Sequence, residues 1–467
     1  MTSRLRSTPA VNFWTSWSSR IVGDLIVRGG TLVRPDGRVK ADIRVSDGRI
    51  VEIAAGLQGT GEEIDASGLH VFPGVIDAHL HFNEPGRTDW EGAATGSHAL
   101  AAGGGTLFFD MPLNSTPCTI NGAQVDAKRA ALEASSVTDF GLWGGLVPNS
   151  IGDMAAMADR GVVGFKAFMC DSGLPEFPYA DDKTLRDGMR EAARLGLPVA
   201  VHAELEETTR TLTAAMTGSG ARDFLASRPV EAELEAIGRA VDLAGETGAK
   251  LHIVHVSTGS GVAKAAEARA RGVDVSVETC PHYLFFTEED LDTIGVAAKC
   301  APPLRHPDEH ARLWGEVLDG RVDLIASDHS PSDPSLKKPG DFRSSWGGVA
   351  GVQSTLAVLL ERGLDGRRLR FEHISALIAA NPASRFQLPS KGRLAPGHDA
   401  DMMLLDPMRS YTLEPDHLLQ RHKTSPYLGF EFSGVVVRTI RRGETIFRDG
   451  KIVAETKGRF VRPGGQP

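Results

Sequence analysis

The sequence predicts an α/β protein, a (β/α)8 TIM barrel with a small β-sandwich domain built from its N- and C-terminal segments. Three observations carry that prediction. Eight short apolar runs occupy the middle of the chain, longer amphipathic stretches separate them, and turn-rich β texture is confined to the two ends. Alternation of this kind marks a parallel sheet, and eight repeats of it suit a closed barrel.

Residues 1–20 hold Arg4, Arg6, Arg20 and several serines but no acid. They lack the apolar core of a secretory signal, so a disordered extension is expected there. Residues 21–72 are read as the first part of the small β domain, because between 24 and 56 β-branched runs alternate with Asp-Gly turns, a hairpin signature. Residues 73–392 are read as the barrel. Its strands are expected in "VFPGVIDAHLH", "GTLFFDM", "DFGLWGGLV", "GVVGFKAFM", "LPVAVHAE", "KLHIVHVS", "VDVSVETC" and "VDLIASDH". Stretches such as 182–196 and 231–248 have the amphipathic pattern of the intervening helices. Residues 393–467 return to hairpin texture in "ADMMLLDP" and "VVVRTIRRGETIFRDGKIVAE" and complete the β domain.

At 467 residues the chain exceeds an ordinary single core, but a barrel absorbs most of that length in one domain. A net charge of −9 argues against nucleic acid or an anionic membrane as partner. No apolar run approaches the roughly 18 residues of a transmembrane helix. Cys118, Cys170, Cys280 and Cys300 form no CxxC pair and read as reduced thiols of a cytoplasmic protein.

In a barrel of this kind the chemistry sits at the C-terminal strand ends. Those ends carry His79 and His81 on the first strand, Lys166 on the fourth, His202 on the fifth, His255 on the sixth and Asp328 on the eighth. His79 and His81 are two apart, so on a strand both point to one side and can converge on a single ion. One histidine at a strand end is ordinarily a hydrogen-bonded rim residue. Four of them with an aspartate, each at a different strand end or paired on the first, are hard to assign to packing. Lys166 fits a metal site poorly, since an ammonium has three donors and no acceptor. From the residues alone it is either a buried catalytic amine or a salt-bridge partner.

The motifs "DAHLHFNEPGR", "GFKAFM", "VHAE", "HIVHVSTG", "ETCPHYL", "KCAPPLR" and "ASDHSP", in that order, resemble those of the amidohydrolase superfamily. Within it they are similar to the cyclic amidases: dihydroorotases, hydantoinases and allantoinases. The resemblance implies that Lys166 is carboxylated by CO2 and bridges two divalent metals. It also implies that His79, His81 and Asp328 hold one metal, and that His202 and His255 hold the other. Zinc is expected, although iron, cobalt and manganese suit the same donors. A hydroxide shared by two cations would be the nucleophile, and Asp328 would carry its proton to the leaving amide nitrogen. Relatives of this kind are commonly homotetramers, which sets the expectation here.

Two positions bear on the ring that is opened. Dihydroorotases usually place an Arg where this chain has Asn83, and read Met-Pro-Asn-Thr where it has "MPLNSTP". Without a guanidinium to grip a carboxylate, an uncharged ring is favoured. Together with "RHKTSPYLG" at 421–429, these features look most like the allantoinases, which implies opening of (S)-allantoin to allantoate. Asn83, Arg87 and Asn114 are expected to contact the substrate, although "NEPGR" is equally good turn chemistry. The glycines of "WGGVAGVQ", Gly351 among them, would let backbone amides approach a small ligand. The alternatives are a hydantoinase or dihydropyrimidinase, an atypical dihydroorotase, a non-catalytic scaffold on the same barrel, and an aldolase-like enzyme with a Schiff-base lysine.

Overall fold

The structure, a computed structural model, describes residues 24–364 and 369–465. The extension expected at residues 1–20 lies outside the described residues.

Each apolar run of the middle segment forms a strand: Val75–Leu80, Gly105–Asp110, Asp139–Leu142 with its continuation Gly144–Gly145, Phe165–Phe168, Val199–His202, Leu251–Ile253, Val275–Thr279 and Leu324–Ile325. Neighbours in sequence pair in parallel. The ring closes where the His81 N–H donates to the His329 carbonyl at 2.8 Å and Leu80 bridges His329. The predicted (β/α)8 barrel is the observed one.

Side-chain parity sorts the strands into two layers. Phe165, Ala167, Val199, Val201, Leu251 and Ile253 pack outward against the helices. Ile76, Ala78, Leu107, Phe109, Ala200 and Leu324 fill the interior. Lys166, between two outward residues, therefore points inward. The first strand departs from simple alternation. Its register slips between Asp77 and Leu80, so Ala78 and His79 both face the interior while Leu80 joins the outer layer. The slip is fixed by Asp77, whose Oδ1 accepts from the His79 N–H at 3.3 Å and the Ser327 N–H at 3.1 Å.

The expected helices form with local causes that can be read off the chain. Asp181 caps Asp182–Leu195 by accepting from the Thr184 N–H at 2.8 Å. Leu185, Met189 and Ala192 are the buried face, and Arg186 and Arg190 on the wet face reach Glu246 of the helix Val230–Thr247. Gly196 and Gly248, both left-handed, end these two helices.

The terminal segments combine into one mixed sheet of nine strands. His70–Pro73 joins the halves, pairing with Leu25–Arg34 on one side and with Met402–Thr412 on the other. A separate core of Leu25, Val27, Ile43, Val71, Met402, Leu404 and Ile440 results. One stretch of the C-terminal segment lies elsewhere. Residues 458–461 run along the third barrel strand, with the Val461 N–H donating to the Phe140 carbonyl at 2.7 Å and the Phe140 N–H to the Arg459 carbonyl at 3.0 Å. A Cβ on Gly458 would lie 1.7 Å from the Thr138 carbonyl oxygen, so only glycine fits there. Between barrel and sheet, buried Lys391 lies 2.8 Å from Asp139, 3.0 Å from Asp399 and 2.7 Å from Asp401.

Candidate active site

The strand ends bring His79, His81, Lys166, His202, His255 and Asp328 to one wall of a cavity of about 760 Å³. His255 and Asp328 lie just beyond strands that end at Ile253 and Ile325, and both have positive φ, 39° and 43°. That left-handed backbone costs a non-glycine residue on the order of 1 kcal/mol, and it turns both side chains back over the barrel mouth.

Asp328 Oδ1 stands 3.2 Å from His79 Nε2 and 3.4 Å from His81 Nε2. His202 Nδ1 and His255 Nε2 are 3.0 Å apart. The opposite nitrogen of His79 donates to Glu278 Oε1 at 2.8 Å, and the opposite nitrogen of His202 donates to Glu204 Oε2 at 2.8 Å. Neutral imidazole has one proton, so these two partners leave His79 Nε2 and His202 Nδ1 as bare lone pairs aimed into the site.

The protonation states agree. Burial lowers the pKa of His79, His202 and His255, keeping the imidazoles neutral. Burial pushes the Asp328, Glu278 and Glu204 carboxyls upward, but the histidines beside Asp328 and Glu278, and the Arg228 guanidinium and His202 beside Glu204, outweigh it. Glu278 and Glu204 come to about 2, and Asp328 is held below the ordinary carboxylate range. Burial brings the Lys166 ammonium down to about 8 against the opposing pull of Asp328 and Glu278.

These facts test whether the residues fit a metal. At His79 a lone pair faces an ionised carboxylate, a repulsive contact unless a cation sits between them. Ligands about 2.0–2.1 Å from a tetrahedral ion stand roughly 3.3 Å apart, and the observed separations of 3.2 and 3.4 Å match that spacing. The ligand atoms of His79, His81 and Asp328 all lie within 4.8 Å of one another. Buried Lys166 Nζ has no hydrogen-bond partner among the described residues, a state an ammonium tolerates badly. A carboxylated nitrogen would replace the unpaired ammonium with an anionic carbamate, a donor that suits a cation.

Cys170, His202 and Glu204 form a second cluster of equal tightness. It fits a cation poorly, because the Arg228 guanidinium is bonded to Glu204 and burial holds the Cys170 thiol up at about 12. His202 therefore serves the cavity through Nδ1, towards His255.

The four expected substrate contacts separate. Asn114 lines the cavity. Asn83 is buried outside its wall, its Nδ2 donating to the Pro331 carbonyl at 3.2 Å. Arg87 donates to the Asn114 carbonyl at 3.1 Å and pairs with Glu176, so it braces the loop. The Gly351 N–H is taken by His329 Nδ1 at 3.1 Å, away from the lining. The stretch "RHKTSPYLG" fastens the loops that follow the first and eighth barrel strands from outside. The Arg421 N–H donates to Glu91 at 2.9 Å, His422 donates to the Asp89 carbonyl at 2.8 Å, and Ser425 donates to the Ala350 carbonyl at 2.8 Å.

Sequence reasoning gave the seventh strand no site residue, yet Glu278 stands there. Its carboxylate also accepts from the His255 N–H at 3.1 Å and from His252 Nε2 at 3.2 Å. The available signal was a lone acid within an apolar run, since a buried carboxylate requires partners. Glu204, two residues after His202, carried the same signal.

Fold and site together define a barrel hydrolase of the amidohydrolase type. The amidohydrolase family pattern matches residues 70–446, and the chain belongs to that family. It is 59% identical over 445 residues to an allantoinase of Solibacter usitatus, spanning 95% of this chain and 97% of that protein. To an allantoinase of Rubrobacter xylanophilus it is 55% identical over 444 residues, spanning 94% and 98%. Among solved structures, the L-hydantoinase (dihydropyrimidinase) of Arthrobacter aurescens superposes with a TM-score of 0.92 at 33% identity. That match covers 94% of this chain and all of that one.

Proposed function

We propose that the protein is an allantoinase, opening the hydantoin ring of (S)-allantoin by hydrolysis of a ring amide to give allantoate. The observation that carries this reading is 59% identity to an allantoinase along almost the whole of both chains, against 33% to the solved hydantoinase. Hydantoinase activity is the second reading, favoured by the structural likeness.

In this reading His79, His81 and Asp328 hold one divalent ion, His202 and His255 hold a second, and Lys166 carries the CO2-derived carbamate between them. Zinc is the proposed metal, because neutral imidazole and carboxylate donors suit it. Bound there, such ions would polarise the ring carbonyl and lower the pKa of water from about 15.7 towards 7. The chain's own residues supply the rest. Glu278 and Glu204 fix the tautomers of His79 and His202. Asp328 accepts a proton from the attacking water and returns it to the departing ring nitrogen. At a pKa near 8, Lys166 has a neutral fraction at physiological pH that can attack CO2, releasing one proton as the carbamate forms.

We further propose a cytoplasmic homotetramer whose barrel spans 73–392. Four buried, unpaired cysteines support the compartment; among the described residues no helix is long and apolar enough to cross a membrane. The test is to incubate the purified protein separately with allantoin, 5-substituted hydantoins and dihydroorotate, with metal analysis of the same sample. Allantoin should be opened fastest, with near two ions per chain. Preference for another ring would overturn the substrate assignment, and a metal-free protein inert after added zinc and bicarbonate would favour a scaffold.

A further inference from the structure

The cavity wall holds a second buried lysine that the reaction described above does not use. Lys299, in "KCAPPLR", is 8% exposed. Its Nζ donates to the Ser345 carbonyl and lies 4.9 Å from the centre of the Phe224 ring. Among the described residues no carboxylate lies within 4.0 Å of it, and no second acceptor is bonded to it. The neighbouring Arg228 guanidinium, which repels it, is committed to Glu204. Burial lowers the Lys299 pKa to about 8. An ammonium with donors unused, desolvated at a cost of several kcal/mol on general grounds, is poor structural design but good ligand design.

The surrounding loop shows why it is held there. After the eighth strand, the segment 334–348 is fastened to 296–300 by buried Lys299 and by half-buried Lys337, whose Nζ donates to the Val296 carbonyl at 3.4 Å. Lys337 Nζ donates to the Gly348 carbonyl at 2.6 Å, and the Gly348 N–H donates to the Lys299 carbonyl at 2.7 Å. Lys337 lies outside the cavity lining, whereas Lys299, Phe224, Ser345 and Gly348 belong to it. Of the other cationic side chains of the wall, Arg210 and Arg343 are exposed at its rim, Arg228 is paired with Glu204, and Lys166 stands among the candidate ligands.

We propose that Lys299 is a specificity-determining residue that donates to the carbonyl oxygen of the substituent carried on the substrate ring, a ureido arm if the ring is allantoin's. The inference rests on the functional reading above for the identity of that arm. Lys299 does the work that was expected of Asn83 and Arg87, which face elsewhere.

The test compares wild type, Lys299→Met and Lys337→Met on allantoin, unsubstituted hydantoin and 5-methylhydantoin, with the thermal midpoint of each protein. A charge-assisted hydrogen bond lost from the substrate predicts that Lys299→Met lowers kcat/KM for allantoin about 10- to 100-fold. The rates on the two rings without a carbonyl-bearing arm should hold, and the midpoint should fall less than that of Lys337→Met, since burying the ammonium offsets part of its bond to Ser345. Lys337→Met, which loosens the same loop without touching the cavity, should lower the midpoint and reduce all rates alike. An equal loss on every ring with Lys299→Met, or a fall in its midpoint matching that of Lys337→Met, overturns the inference. A wild type that opens the hydantoins but not allantoin overturns the functional reading instead. Lys299 would then be tested on whichever carbonyl-bearing ring wild type prefers, by the same selective loss.

Discussion

Replacing Glu278 separates the orientation of the candidate ligands from the ligands themselves. Its Oε1 receives the His79 Nδ1–H at 2.8 Å and the His255 N–H at 3.1 Å, and its Oε2 receives His252 at 3.2 Å. Glu278→Gln can keep its carbonyl oxygen on the first two donors and turn its amide towards His252, which can shift its own proton to Ser276, 2.8 Å from Nδ1. Geometry survives while the charge that makes His79 a stronger base is lost. Partners of this kind contribute about 10- to 100-fold in metal affinity, or about 1.4–2.7 kcal/mol. The Gln variant should sit near the lower figure. Glu278→Ala also leaves two buried donors unpaired, each at about 1–3 kcal/mol, and should reach the upper figure with a clear fall in stability. The assay is the chelator concentration that removes half the metal at fixed pH, read beside the thermal midpoint. Wild-type metal retention in both variants would refute the reasoning, since His79 would then hold its orientation unaided.

The remaining predictions concern other parts of the molecule. Asp328→Ala should cut kcat by about 10²–10⁴-fold, the usual contribution of a positioned proton carrier, with circular dichroism unchanged. Lys166→Ala should abolish turnover and lower metal content, with partial recovery by short carboxylic acids; wild-type metal content would count against the bridging role. Lys391→Met should destabilise by about 3–5 kcal/mol, because it leaves buried Asp401 without its cation, while Asp139 keeps Arg442 and Asp399 keeps Arg49. For Lys299, the folded pKa of about 8 lies below the ordinary 10.5. Between those values the unfolded chain binds the extra proton, so wild-type stability gains from this group as pH rises. The midpoint of Lys299→Met relative to wild type should therefore be highest near pH 7 and decline towards pH 10.

Much of the barrel was legible because apolar runs and strand-end polar residues are local patterns. The six residues read from strand ends meet at one wall because a parallel barrel sends every C-terminal end to the same face. What sequence reading missed depends on distant pairing. Glu278 acts on His79, 199 positions away, and nothing near either residue announces it. The slip at Asp77 is set by Ser327, 250 positions away. Asn83, Arg87 and Gly351 sit at plausible places in the chain, but the Asn83 amide nitrogen, the Arg87 guanidinium and the Gly351 N–H are taken by Pro331, Asn114 and His329. Proximity in sequence to a ligand says little about which way a loop side chain turns.

The sheet shared by the two ends of the chain has a consequence in time. On the ribosome, His70–Pro73 emerges early and gains one neighbour from Leu25–Arg34, yet its other edge waits for Met402–Thr412. The loops around the site wait longer for Arg421, His422 and Ser425. During synthesis the nascent protein therefore carries an open strand edge, a template for pairing with the wrong chain. Its catalytic face comes together last, so a half-made barrel is exposed to misassembly before it is competent to act.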